Sequence, residues 1–238
     1  MDSSVRGRSP FVSPGPYRGV FNVPPVVAIT AVFISAFYFL GEIAPHFTVR
    51  LLGDRVGLSP ALLFAGPAAN GGWPRLVAPV FTHMLVHAGL AHLLFNMLWL
   101  IVFGSPVAQR LQSAWRFLAL FLLSGAAGGL FFAALNPHDL APLVGASGGV
   151  TGLLGAMVRF AFRQPGRFPA GDFSRLRLTD PTVVSWSLVV ILLNVSVLVL
   201  GPGMGLGDER VAWQAHIGGY LFGLIFFPFF DRPGRAPH

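Results

Sequence analysis

Six long apolar runs, none of which contains an acid, constrain this chain more than any other feature. They extend over about 26–41, 76–103, 117–135, 145–162, 183–200 and 211–230. The nine acids, Asp2, Glu42, Asp54, Asp139, Asp172, Asp180, Asp208, Glu209 and Asp231, fall in loops, tails or run ends. A soluble domain carries roughly 25% charged residues, whereas here 11% are charged and 54% are hydrophobic. About 20 apolar residues cross a bilayer as a helix. The expectation is therefore an all-α, polytopic membrane protein with six transmembrane helices. Its membrane domain spans 24–230, between a disordered basic tail over 1–23 and a short tail over 231–238. The N-terminal segment has no apolar h-region and does not read as a cleaved signal peptide. The stretch from Leu58 to Ala65 is too short to span and is expected at the interface.

Sixteen arginines and no lysine give a net charge of +7. In a soluble chain that balance suggests nucleic acid; between membrane spans it sets topology instead. Six crossings put both termini on one side. That side holds Arg6, Arg8, Arg18, Arg110, Arg116, Arg159, Arg163, Arg167, Arg175, Arg177, Arg232 and Arg235, twelve in all, against Arg50, Arg55, Arg75 and Arg210 opposite. Both termini are thus expected in the cytoplasm, with Gly145, Ser147 and His216 toward the external leaflet. The bilayer is the expected partner and nucleic acid is not. An arginine-only basic complement points to a GC-rich coding sequence and so to a prokaryotic inner membrane. Cysteine is absent, which removes disulfides, thiol nucleophiles and Cys-based metal sites.

With no carboxylate inside the spans, an aspartyl intramembrane protease and a carboxylate proton relay are both disfavoured. A zinc protease is disfavoured too: His83-Met84-Leu85-Val86-His87 lacks the glutamate that H-E-x-x-H uses as general base. The polar residues left inside include His83, His87, His92, Asn96, Ser147, Thr151, Asn194 and His216. On one continuous helix His92 and Asn96 lie about 40° apart, while His87 points about 140° away from His92. They read either as donors lining a site or as polar glue between helices. The fourth run opens Gly145-Ala146-Ser147-Gly148-Gly149 and continues through Gly152 and Gly155; the sixth carries Ala215, Gly219 and Gly223, with His216 beside them. Small residues at this spacing let helices approach closely. Close backbones bring a short serine within reach of an imidazole that can take its proton. Taken singly, each of these residues also fits plain packing. No cofactor and no metal is expected.

Three motifs in order change that balance: His92-Leu-Leu-Phe-Asn96, Gly145-Ala-Ser147-Gly148, and Ala215-His216-Ile-Gly-Gly219 with Gly223. Together they resemble the rhomboid family of intramembrane serine proteases over roughly 24–230. The resemblance implies that Ser147 is the nucleophile and His216 its general base, in a dyad without an acid. It implies an oxyanion hole formed by the Ser147 backbone N–H with the side chains of His92 and Asn96. It gives supporting roles to Gly145, which keeps the approach open, and to Gly148, Gly219 and Gly223. Trp73 and Arg75 resemble the family's Trp-Arg pair, although Pro74 lies between them. Their spacing to His87 leaves two alignments open, a small insertion or His83 in the aligned place. Thr151 stands where many members carry an aromatic residue against the catalytic histidine.

The function so implied is a serine endopeptidase that cleaves transmembrane segments of single-pass or polytopic membrane proteins near the external face, through an acyl-enzyme. Substrates weakened as helices near the cut are expected to be preferred. A fifth helix carrying Ser185, Ser187, Asn194 and Ser196 is expected to admit them laterally. Two competitors remain: a catalytically silent rhomboid-like client-binding protein, which commonly lacks one of the dyad residues, and a small transporter with histidines along its path.

Overall fold

The computed structural model describes residues 23–44, 56–162, 174–200 (backbone alone from 197) and 212–231. The basic tail and most of the C-terminal tail expected from the sequence lie outside these residues. In chain order the helices are α1 (Pro25–Ile43), four short helices α2 (Pro60–Phe64), α3 (Gly66–Asn70), α4 (Trp73–Val77) and α5 (Pro79–Thr82), then α6 (Leu90–Leu111), α7 (Ala114–Leu135), α8 (Ser147–Val158), α9 (Pro181–Leu200) and α10 (Trp213–Phe230). Among the described residues the only extended pairing is one antiparallel bridge, Leu58 with Leu143. Three helices, α1, α6 and α7, are long and apolar enough to cross a membrane by themselves.

The second apolar run departs most from expectation. A helix over 76–103 was expected, yet α6 starts at Leu90 and continues to Leu111. Upstream, Pro79 opens α5, a 3₁₀ turn covers His83–Leu85, and Val86 is extended at φ −92°, ψ 140°. Gly89, also extended, precedes the new helix. The apolar run conceals this because its composition is uniform; the breaks come from proline, which lacks an N–H, and from glycine. Downstream, Pro106 does not end α6. Membrane helices tolerate proline where neighbours satisfy the freed backbone, and the helix stops instead at Gln112 in the left-handed region, φ 47°.

The fourth run is also shorter than expected, with α8 covering only Ser147–Val158 rather than 145–162. Gly145 has φ +112° and stands outside the helix, so the run of small residues expected to begin there starts in the helix only at Ser147. Twelve residues rise about 18 Å, well short of the roughly 30 Å hydrocarbon core. Most of α8 is nevertheless buried, from Gly148 through Val158. A helix apolar on every side belongs inside a bundle. Its neighbours are α7 and α10, and glycine sets the distances. A Cβ on Gly219 overlaps the carbonyl of Gly148, one on Gly223 overlaps that of Gly152, and one on Gly149 lies 2.7 Å from the Phe121 ring of α7. Around this centre, Leu100 of α6, Phe117 and Leu120 of α7, Leu153 of α8 and Phe227 of α10 are wholly buried in one cluster.

Outward faces remain greasy. Ile29 and Phe33 on α1, Leu94 and Phe95 on α6, Leu188 and Leu192 on α9, and Phe229 on α10 are all exposed. An apolar exterior this extensive suits lipid.

The two ends of the bundle differ. At one, Arg110 makes a bidentate pair with Asp231, at 3.0 and 2.9 Å, and Arg175 lies 3.5 Å from the same carboxylate. Beside them Arg159 is buried and donates to the carbonyls of Leu176 and Leu224, at 2.8 and 2.6 Å. At the other end, the short helices form a cap. Ala61 N–H donates to Asp139 O at 3.0 Å, Thr82 Oγ1 to Val56 O at 3.0 Å, and Asn70 Nδ2 to Leu62 O at 2.6 Å. The stretch from Leu58 to Ala65, expected at the interface, supplies α2 and the bridge to Leu143.

Candidate active site

Ser147 is the first residue of α8. Its N–H is therefore among those that a helix start leaves without an intrahelical acceptor, at the positive end of the helix dipole. Irregular backbone leads up to it, held by two ties. Leu58 and Leu143 exchange N–H···O bonds of 3.0 and 2.9 Å, and Gly145 N–H donates to His83 O at 2.9 Å. Backbone of this kind persists at membrane depth only where it is buried in protein or lines a cavity.

His83 anchors that tie. Its side chain is buried, and Nδ1–H donates to Pro79 O at 2.9 Å. A buried ring that donates Nδ1–H to a backbone carbonyl one turn back is held as part of the scaffold around Gly145. Trp73 is exposed and Arg75 packs against Gly71, with Nη1 3.4 Å from a Cβ built there. Both therefore sit in the cap.

His92 lies in the first turn of α6, with its ring against Gly145: a Cβ on Gly145 lies 2.7 Å from His92 Cε1 and 2.8 Å from Nε2. The Ala88 N–H donates to His92 Nδ1 at 3.4 Å. A neutral imidazole that accepts at Nδ1 carries its proton at Nε2, so the N–H of His92 faces Gly145, two residues before Ser147. Asn96 is buried one turn further and donates from Nδ2 to His92 O at 2.9 Å. An amide nitrogen has two hydrogens, so one donor of Asn96 is left for another acceptor. His87 corrects the helical-wheel expectation. It sits in the extended segment before α6, and its ring meets that of His92 edge-on at 5.1 Å instead of pointing away.

His216 lies in the first turn of α10 and comes to the start of α8 through Thr151. The Thr151 hydroxyl is 2.9 Å from Ser147 O, 3.1 Å from Gly148 O and 3.0 Å from His216 O. One hydroxyl proton thus serves carbonyls on both helices, beside the Gly148–Gly219 crossing. The sequence marked Thr151 as a polar residue inside a span and as a missing aromatic; its role as a tie needed the helix pairing. His216 Nδ1 lies 2.9 Å from Asn194 Oδ1 of α9. A direct hydroxyl–imidazole bond between Ser147 and His216 is not among the hydrogen bonds of the described residues.

Long apolar helices that turn leucine and phenylalanine outward, around a recessed polar site, define an integral membrane protein of the helical-bundle class. The chain belongs to the rhomboid family: the family model for the Rhomboid domain matches residues 74–232. It is 31% identical over 157 residues to rhomboid protease GluP of Bacillus subtilis, covering 66% of this chain and 26% of that protein. Similarity to putative rhomboid protease YdcA of Bacillus subtilis is 40% over 87 residues, or 37% of this chain and 41% of the relative. RHOMBOID-like protein 1 of Arabidopsis thaliana matches at 32% over 155 residues, 65% of this chain and 35% of the relative. The chain thus spans between a quarter and two fifths of these relatives' lengths.

Proposed function

We propose that the protein is an intramembrane serine endopeptidase in which Ser147 attacks a peptide carbonyl and His216 accepts the hydroxyl proton. The observation that carries this reading is the Thr151 hydroxyl, which lies within 3.0 Å of the carbonyls of both Ser147 and His216 and so couples the serine's helix start to the histidine's first turn. In the first step the Ser147 Oγ–C bond forms and the proton passes to His216; His216 then protonates the leaving amine, and water hydrolyses the ester. The oxyanion is received by the Ser147 N–H with His92 and Asn96. The tautomer of His92, protonated at Nε2, supports its part, and the helix start supports that of the backbone N–H.

The six-span arrangement is part of the same proposal, with α8, α9 and α10 completing what α1, α6 and α7 begin. The termini are cytoplasmic and the site lies near the external face of a prokaryotic inner membrane. The gathering of Arg110, Arg159 and Arg175 at the end away from Ser147 supports that orientation. Substrates are transmembrane segments of other membrane proteins, entering beside α9.

Labelling with a serine-directed fluorophosphonate tests the assignment. The parent protein is expected to label, while Ser147→Ala and His216→Ala are expected not to. Equal labelling of all three overturns the protease assignment in favour of a silent, client-binding relative.

A further inference from the structure

α9 meets the rest of the bundle along one narrow face. Val183, Ser187, Val190 and Asn194 recur at four- and three-residue spacing, the pattern of a single helical stripe. Val183 and Val190 are buried with Tyr220 and Leu224 of α10. Between and beyond them stand two polar clasps: the Ser187 hydroxyl 2.8 Å from Tyr220 Oη, and Asn194 Oδ1 2.9 Å from His216 Nδ1. Leu188, Ile191, Leu192 and Leu193 on the remaining surface are exposed.

The second clasp has a defined direction. Asn194 Nδ2 donates to Val190 O, one turn back, at 2.8 Å. Exchanging the amide oxygen and nitrogen would set Oδ1 against that carbonyl, two acceptors face to face, so the observed orientation is the one the backbone imposes. With Oδ1 facing His216, Nδ1 must be the donor. The neutral ring then carries its proton at Nδ1 and presents a bare Nε2, the form a general base requires. His92 has the opposite tautomer and presents a donor. Two imidazoles beside one serine are thus set by different neighbours to opposite roles.

We propose that Asn194 is a positioning residue for His216: its amide oxygen holds the base in the proton-accepting tautomer, and does so only while α9 is docked on α10. The proposal rests on the reading of Ser147 and His216 as nucleophile and base. It adds a third member to that pair, drawn from the helix beside which substrate is proposed to enter, so docking of α9 and readiness of the base become one event.

The test is the rate of Ser147 labelling by a fluorophosphonate across a pH series, with the full chain in lipid nanodiscs. Asn194→Ala is expected to label about 10- to 100-fold more slowly, a share of the 10²–10⁴ that general-base catalysis typically supplies. Asn194→Asp keeps an acceptor and adds charge. It gives up the donor to Val190 O and is therefore expected to recover part of the rate lost in Asn194→Ala, while moving the acidic limb of the profile to higher pH, because a carboxylate favours the imidazolium. Ser187→Ala loosens the same helix without touching His216 and is expected to keep the parental limb. His92, the other titratable group acting on His216, is unchanged throughout. Parental rates and limbs in both Asn194 variants, with labelling still lost in Ser147→Ala, overturn this inference and leave the protease reading intact. Labelling of the parent that survives Ser147→Ala overturns both. A second measurement needs no Asn194 variant: the ¹⁵N-histidine spectrum of the parent, less that of His216→Ala, is expected to show an Nδ1–H imidazole. An Nε2–H signal overturns the inference.

Discussion

Gly145 shows how a single residue without a side chain can shape a site. Its φ of +112° lies where residues other than glycine are strained, at a cost of about 1–3 kcal/mol. Any Cβ there also drives into the His92 ring, 2.7 Å from Cε1. Gly145→Ala is therefore expected to displace the imidazole and lower kcat about as far as His92→Ala, for which loss of one donor of the proposed oxyanion hole predicts about a 100-fold drop. Steady-state cleavage of a fluorogenic transmembrane substrate measures both; a Gly145→Ala protein with parental kcat removes the link between the glycine and the histidine. The neighbouring histidines divide along similar lines. His83 donates Nδ1–H to a backbone carbonyl and accepts the Gly145 N–H at its own carbonyl, so it works through the backbone. Identity alone did not separate His83, His87 and His92, since all three lie in one apolar run; the hydrogen bonds of His83 and His92 and the ring contact of His87 do.

At the scale of the helix, the recurrence of glycine in α8 and α10 was legible as close packing, and the structure assigns each glycine its neighbour. Gly219 and Gly223 meet the backbone of Gly148 and Gly152, whereas Gly149 and Gly152 turn their own open sides to Phe121 and Ser124 on α7. Periodicity reveals that a face is small, but which helix fills it depends on the three-dimensional arrangement of the chain. Gly219→Val sets a side chain into the carbonyl of Gly148 and is expected to cost about 3 kcal/mol, the upper part of the range for overpacking. Thermal unfolding in detergent is the check, and a parental midpoint removes the close crossing. Helix boundaries were less legible. Runs 117–135 and 183–200 became Ala114–Leu135 and Pro181–Leu200, a shift of one turn or less. The run over 76–103 broke into short helices and a late-starting α6, at stops made by Pro79 and by the non-helical backbone from Val86 to Gly89 that uniform hydropathy hides.

Among the described residues Arg110, Arg159, Arg175 and Asp231 gather at one end, and the candidate site lies near the other, under the cap that holds Arg75 and Asp139. Asp231 is buried and receives Arg110 in bidentate geometry, with Arg175 beside it. Such a buried cluster joins α6, the chain before α9 and the end of α10, and it turns part of the arginine excess into a structural clamp as well as a topological signal. The proposed orientation has a direct test, because the chain has no cysteine of its own. His138→Cys, between α7 and α8, and Thr179→Cys, before α9, each create a single thiol at an exposed position. A membrane-impermeant maleimide is expected to label the first in intact cells and the second only after permeabilisation; the reverse pattern inverts the topology. By itself the sequence determined that this is a helical membrane protein, and its three motifs were sufficient for the rhomboid resemblance, because hydropathy and motif order are properties of the chain read in one dimension. Tertiary structure alone decided that α8 starts at the serine in the bundle interior, that Thr151 ties Ser147 to His216, and that Asn194 faces the histidine. Those contacts join residues 65 and 22 positions apart, and no local pattern encodes a hydrogen bond between helices that meet only when the bundle closes.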